Sequence, residues 1–165
     1  MKSIIIRGPL GVGKSTVARA VAENIGGIYI SVDQVLEEYG LDKASDGEGI
    51  PLENFLKANE LLLQETKQAR KEGKPLIVDG NFYHKEQIEQ LVQALGNETI
   101  AITLKAPVET CLVRDAGREK PYGEDATRVV HMFVSAFDFG TVIDTENQTM
   151  SETIQAVMDI IQNES

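Results

Sequence analysis

The stretch GPLGVGKST, Gly8 to Thr16, follows the apolar run Ser3-Ile4-Ile5-Ile6-Arg7 and leads into a helical pattern that starts at Lys14. From Gly8 to Ser15 it matches G-x-x-x-x-G-K-[ST] without insertion, and its place between a strand and a helix is the context this phosphate-binding motif requires. Glycines let the backbone curl until successive N–H groups point at phosphate oxygens, and the helix N-terminus adds the positive end of its dipole. Gly8, Gly11, Val12, Gly13, Lys14, Ser15 and Thr16 are therefore the candidate nucleotide-binding residues. Lys14 is suited to reach the β- and γ-phosphates, and the Ser15 hydroxyl is a candidate ligand for Mg²⁺. A structural glycine turn with a surface lysine is the bland alternative, and the strand-then-helix setting argues against it.

Outward from this loop, strand and helix patterns alternate. Val17, Val21 and Ile25 recur at helical spacing up to Gly26-Gly27, and Ile28–Ser31 reads as a second strand that delivers Asp33 to its end. Gln34–Tyr39 predicts one or two helical turns, and Gly40–Ile50 a polar, mobile loop. One helix is expected from Pro51 to near Gly73, carrying Phe55, Leu56, Leu62 and Leu63 on one face. Pro75–Val78 reads as the third strand, Ile88 to Leu95 as a helical stripe, and Thr99–Leu104 as the fourth strand. Pro107 opens a helix that DAGREKPYGED interrupts before Val129, Val130, Phe133 and Val134 resume helical spacing. A fifth strand, Thr141–Ile143, precedes a last helix with a capping box at Thr149 and Glu152. The alternation predicts an α/β fold in three layers, a five-stranded parallel sheet with helices on both faces.

The 165 residues read as a single domain, 1–165. A formal net charge of −10 argues against nucleic-acid and anionic-membrane partners, which need basic surfaces, but not against a small anionic ligand. The lone cysteine, Cys111, excludes an internal disulfide and fits a reducing compartment. No apolar run reaches the roughly 18 residues of a membrane span, and MKSIIIRG carries no signal-peptide core, so a cytoplasmic protein is expected. Oligomeric state is left open.

A phosphate loop alone does not select among nucleotide proteins. The N-K-x-D base-reading motif of guanine-specific switch proteins is absent, and Asp79-Gly80-Asn81-Phe82 lacks the final glycine of their switch. GPLGVGKST, Asp33 after strand two, IVDG at strand three, CLVRDAGREKP after strand four and VIDTENQT together resemble the small P-loop kinase family. That family includes shikimate, gluconate and adenylate-type kinases. The pattern is most similar to the polynucleotide kinase, chloramphenicol phosphotransferase and zeta-toxin group. The resemblance spans essentially the whole chain and implies a three-layer P-loop fold, ATP and Mg²⁺ as cofactors, and a small lid at roughly 114–128. It implies that Arg114 lies near adenine and that Arg118, its partner in R-x-x-x-R, reaches the transferring phosphoryl group. By the same resemblance Asp33 takes the proton from the acceptor hydroxyl; the alternative is an N-cap for the following helix. Lys14, Asp33 and Arg118 are thus the candidate catalytic residues.

The acceptor is read from departures. The arginine that holds an acceptor phosphate in adenylate kinases has no equivalent, since Tyr83 and His84 stand in that neighbourhood. The arginine of shikimate kinases is missing too, because none lies between Arg19 and Arg70. A cation-poor pocket suits a neutral hydroxyl compound, with Asp33, Asp79 and Asn81 as candidate substrate contacts. Asp79 has two further readings, holding Mg²⁺ through water or capping a turn with Gly80. The expected function is an ATP-dependent kinase acting on a hydroxyl of a small neutral metabolite. The alternatives are a P-loop ATPase without an acceptor and a non-catalytic ATP-binding regulator. His131 and Cys111 read as packing residues, and His84 is open between pocket and surface.

Overall fold

The computed structural model describes residues 2–44 and 49–164. In chain order the elements are β1 (Ser3–Arg7), α1 (Lys14–Ile25), β2 (Ile28–Ser31), α2 (Val32–Glu38), α3 (Leu52–Glu65), α4 (Lys67–Lys71), β3 (Leu76–Gly80), α5 (Lys85–Leu95), β4 (Thr99–Lys105), α6 (Val108–Ala116), α7 (Glu124–Ser135), β5 (Thr141–Asp144) and α8 (Met150–Asn163). Among the described residues the strands form one parallel five-stranded sheet, ordered β2-β3-β1-β4-β5. β1 is central, with Arg7 opposite Gly80 of β3 and Thr103 of β4.

Because helices cover both faces, β1 is apolar at successive positions instead of alternating. Ile4 and Ile6 face Val17 and Val21 of α1 and Val157 and Ile161 of α8, while Ile5 faces Val35, Phe55, Leu62, Ile88 and Leu91. Burying each such side chain contributes about 1.5–3 kcal/mol, so two apolar layers clamp the central strand. The C-terminal ends of β1, β2 and β3 consequently converge on one edge, where crevices form in sheets of this kind.

Local differences from the sequence reading have local causes. α2 starts two residues early because Ser31 caps it, its Oγ accepting from the Gln34 N–H at 3.5 Å. Asp33 is therefore in the first turn and is not the cap. The helix expected from Pro51 to Gly73 is two helices, broken at Thr66, whose hydroxyl donates back to the Leu62 carbonyl at 2.9 Å. Residues 45–48 of the expected loop lie outside the described residues. The apolar stripe on α7 is less buried than its spacing suggests: Val134 is buried, but Val129 is 44% exposed. His131 is half-buried, not a core residue, and its Nε2 pairs with the Ala106 carbonyl at 2.8 Å. Cys111 does sit in the core, where burial pushes its thiol up to about 11. The capping box of α8 forms in full.

Candidate active site

The loop between β1 and α1 carries two backbone positions that demand glycine. Gly11 has φ +78°, and a Cβ there would stand 2.2 Å from the Cys111 carbonyl oxygen; Gly13 has φ +97° and caps α1. Lys14 opens α1 and is buried. Ser15 follows, and its Oγ donates to Oδ2 of Asp79 at 2.5 Å. Asp79 is fully buried at the end of β3, and its Oδ1 accepts from the Tyr29 hydroxyl at 3.1 Å. Burial raises the Tyr29 phenol pKa, the Asp79 carboxylate adds to this, and Arg19, stacked 5.1 Å from the ring centroid, opposes it.

Asp33 is half-buried on the same edge. Burial lifts its pKa above the ordinary value, the Lys14 ammonium pulls it down, and the Asp79 carboxylate pushes it up. The Asn81 amide donates to both of its oxygens at a long 3.5 Å, and among the described residues Asn81 Oδ1 is buried without a hydrogen-bond partner. Beyond Asn81, the Tyr83 hydroxyl accepts from the Ile50 N–H at 3.0 Å and His84 Nε2 meets the Ile50 carbonyl at 3.1 Å. Tyr83 packs edge-on against Phe55 with ring centroids 5.0 Å apart and against Phe133 at 5.3 Å. His84 is thus tied into the wall of this side, and is not a free surface group.

On the other side a cavity opens between Gly11, Gly13, Lys14, Ser15 and Thr16 of the loop and α1, and Arg114, Arg118 and Met150. Gly8 and Val12 are buried beneath it. Arg114 grips the β5–α8 connection, donating to Thr145 Oγ1 at 2.9 Å and to the Thr145 carbonyl at 2.8 Å. Arg118 is exposed, 4.9 Å over the Tyr122 ring, at the start of the α6–α7 loop. Buried Asp115 closes that loop by accepting from the N–H groups of Tyr122 and Gly123 at 3.3 and 3.0 Å. Burial raises the Tyr122 phenol pKa, with Asp33 the next cause, so this ring stands within electrostatic reach of Asp33. Arg128 pairs on the surface with Glu124 at 2.9 Å.

The structure thus brings Lys14, Ser15, Asp33, Asp79 and Asn81 to one sheet edge, with Arg114 and Arg118 across the cavity. Tyr29, Tyr122, Thr145 and Met150 are site residues that motif spacing did not flag. Only Tyr29 had a local signal, as the polar-tipped residue inside the otherwise apolar IYI. The arrangement can hold a polyphosphate on the loop, with an acid at its far end.

The comparisons with known proteins agree on the class. A "Putative adenylate kinase" of Thermococcus kodakarensis is 29% identical over 164 residues, covering 96% of this chain and 84% of the relative. A sugar kinase from a Janibacter species superposes with a TM-score of 0.77 at 15% identity, over 100% of this chain and 96% of that one. A gluconokinase from Sinorhizobium meliloti does so with a TM-score of 0.75 at 15% identity, over 98% and 94%. Similarity at that identity establishes the shared fold, a parallel sheet flanked by helices as in P-loop kinases. The profile of the family described as AAA domain matches residues 4–137, and the chain belongs to that family as a P-loop kinase domain.

Proposed function

We propose that this protein transfers the γ-phosphoryl group of ATP to a hydroxyl of a small, neutral acceptor. The observation that carries this reading is the placement of Asp33: a half-buried carboxylate with a raised pKa, within electrostatic reach of the phosphate-loop lysine. A protein that only hydrolysed or sensed ATP would have little use for such a group. In-line attack needs a hydroxyl held between the γ-phosphate and a proton acceptor, and we assign that acceptor to Asp33.

The loop N–H groups and Lys14 hold the phosphates. Mg²⁺, when bound, neutralises β- and γ-phosphate charge. The donor set fits it: Mg²⁺ keeps several waters and takes substrate phosphates, so it needs few protein oxygens. Ser15 Oγ would be the direct ligand and buried Asp79 the carboxylate that accepts the Ser15 proton and a metal-bound water. This makes Asp79 a metal-side residue instead of an acceptor contact. Arg114, anchored on Thr145, forms one wall of the adenine side, and Arg118 on the α6–α7 lid meets charge that develops during transfer.

The name of the archaeal relatives favours a second reading, a nucleoside monophosphate acceptor. An acceptor phosphate needs an available cation. The arginine that β1 directs to this side, Arg7, is fully buried and donates to the main-chain carbonyls of Phe82 and Val134 at 3.0 and 2.6 Å. A screen of ADP release with matched acceptors, adenosine against AMP and glucose against gluconate, separates the readings. Stimulation by neutral hydroxyl compounds supports the proposal. Stimulation by AMP alone supports the nucleotide reading, and acceptor-independent release an ATPase.

A further inference from the structure

Tyr29 sits on β2, whose neighbours Ile28 and Ile30 pack on the opposite face of the sheet. Its ring lines an open groove with Arg19, Glu23, Gly26 and Gly27, yet its hydroxyl turns inward, away from solvent, to Oδ1 of the fully buried Asp79. The second carboxylate oxygen is held by Ser15. A carboxylate fastened through one oxygen alone can swing about its terminal torsion and admit water from the groove side. Fastened through both, it keeps Oδ2 aimed at the one hydroxyl suited to bind metal.

We propose that Tyr29 is a positioning residue for the metal–nucleotide site, holding Asp79 in the rotamer that directs the Ser15 oxygen at Mg²⁺. The inference rests on the metal reading of Ser15 and Asp79 above, and extends it to a side chain outside the phosphate-loop motif. Tyr29 touches neither nucleotide nor acceptor in this role; it acts through Asp79. Arg19, over the outer face of the ring, limits the ring's escape into the groove.

The test is calorimetric binding of a non-hydrolysable ATP analogue at a series of Mg²⁺ concentrations, for the unaltered protein, Tyr29→Phe, Asp79→Ala and the double variant. Tyr29→Phe keeps the ring and loses only the hydroxyl, and thermal unfolding in chelator checks that its fold persists. The expected result is unchanged affinity in chelator, with roughly 10-fold more Mg²⁺ needed for half-maximal tightening, the lower end for an outer-shell partner of a metal ligand. In the Asp79→Ala background, which has no oxygen to accept from the Tyr29 hydroxyl, Tyr29→Phe should shift nothing further, because its effect passes through that carboxylate. An unshifted Mg²⁺ dependence in Tyr29→Phe, an equal loss of affinity in chelator, or additive effects in the double variant would overturn the role of Tyr29 alone. Analogue binding by the unaltered protein that ignores Mg²⁺ would instead overturn the metal reading beneath it.

Discussion

At the scale of single residues, Asp33 concentrates the proposed chemistry. A base must be ionised to accept a proton, and burial raises the pH at which Asp33 ionises. The acid-side fall in the rate of transfer should therefore lie at higher pH than an unburied aspartate would give. Asp33→Asn keeps the size and the contact with Asn81 but removes basicity. It should retain ATP binding and lower transfer by roughly 10²–10⁴-fold, measured as acceptor-dependent ADP release. A wild-type rate would leave Asp33 with no chemical role. The same substitution has a signed effect on stability. With the folded pKa raised, the folded state holds its proton where the unfolded chain has lost it, so stability falls as pH rises between the two values. Asp33→Asn lacks this loss. Its stability advantage in urea denaturation should grow through that window and stay level above it.

At the scale of elements, the α6–α7 connection behaves as a unit. Asp115 takes the N–H groups of Tyr122 and Gly123, so the loop is closed on itself at its base while Arg118 remains exposed at its rim. A buried carboxylate at the start of α7 also complements the positive end of that helix. On the proposed reading this exposed arginine, which lines the cavity beside the glycine loop, makes its phosphate contact on closure. Arg118→Ala should thus lower kcat by roughly 10³-fold with little loss of ATP affinity in the absence of acceptor. A large affinity loss at unchanged kcat would make Arg118 a ground-state contact instead. Amide exchange across residues 115–124 should slow when ATP and acceptor are both present. The pair Arg114 and Arg118 stands out in the sequence as R-x-x-x-R, whereas the Asp115 latch of the α6–α7 connection does not, because a hydrogen bond to N–H groups seven and eight positions away has no local pattern.

At the scale of the whole molecule, Arg7 joins parts that are distant along the chain. It ends β1 directly before the phosphate loop and donates to Phe82, after β3, and to Val134, in the last turn of α7. Its guanidinium also lies 4.1 Å from the Phe137 ring centroid. Burial lowers its pKa to about 10, so it stays charged at neutral pH, with Asp138 favouring the charge. Arg7→Ala leaves a large cavity and two buried carbonyls without their donor. Those losses outweigh relief from burying the charge, and stability should fall by about 2–4 kcal/mol in urea denaturation. Unchanged stability would show that the surrounding layers close the site on their own.

How much of this was legible beforehand depends on whether a feature is local in the chain. GPLGVGKST, the apolar β1 and the repeating strand–helix pattern specify the phosphate loop and the parallel three-layer fold, because glycine torsions, helix capping and hydrophobic periodicity act over a few residues. Lys14 and Ser15 follow from the same nine residues. Tyr29, Thr145 and the buried Arg7 do not, for each acquires its partner from a distant element: Tyr29 reaches Asp79 from a neighbouring strand, Thr145 meets Arg114 of α6, and Arg7 reaches a helix more than 120 residues away. Asp33 shows the division within one residue. Its position after β2 is written in the sequence, but its raised pKa comes from burial and from Lys14 and Asp79. Those surroundings exist only once parallel pairing has brought the ends of β1, β2 and β3 to a common edge, because the free energy of a charge depends on its neighbours in space.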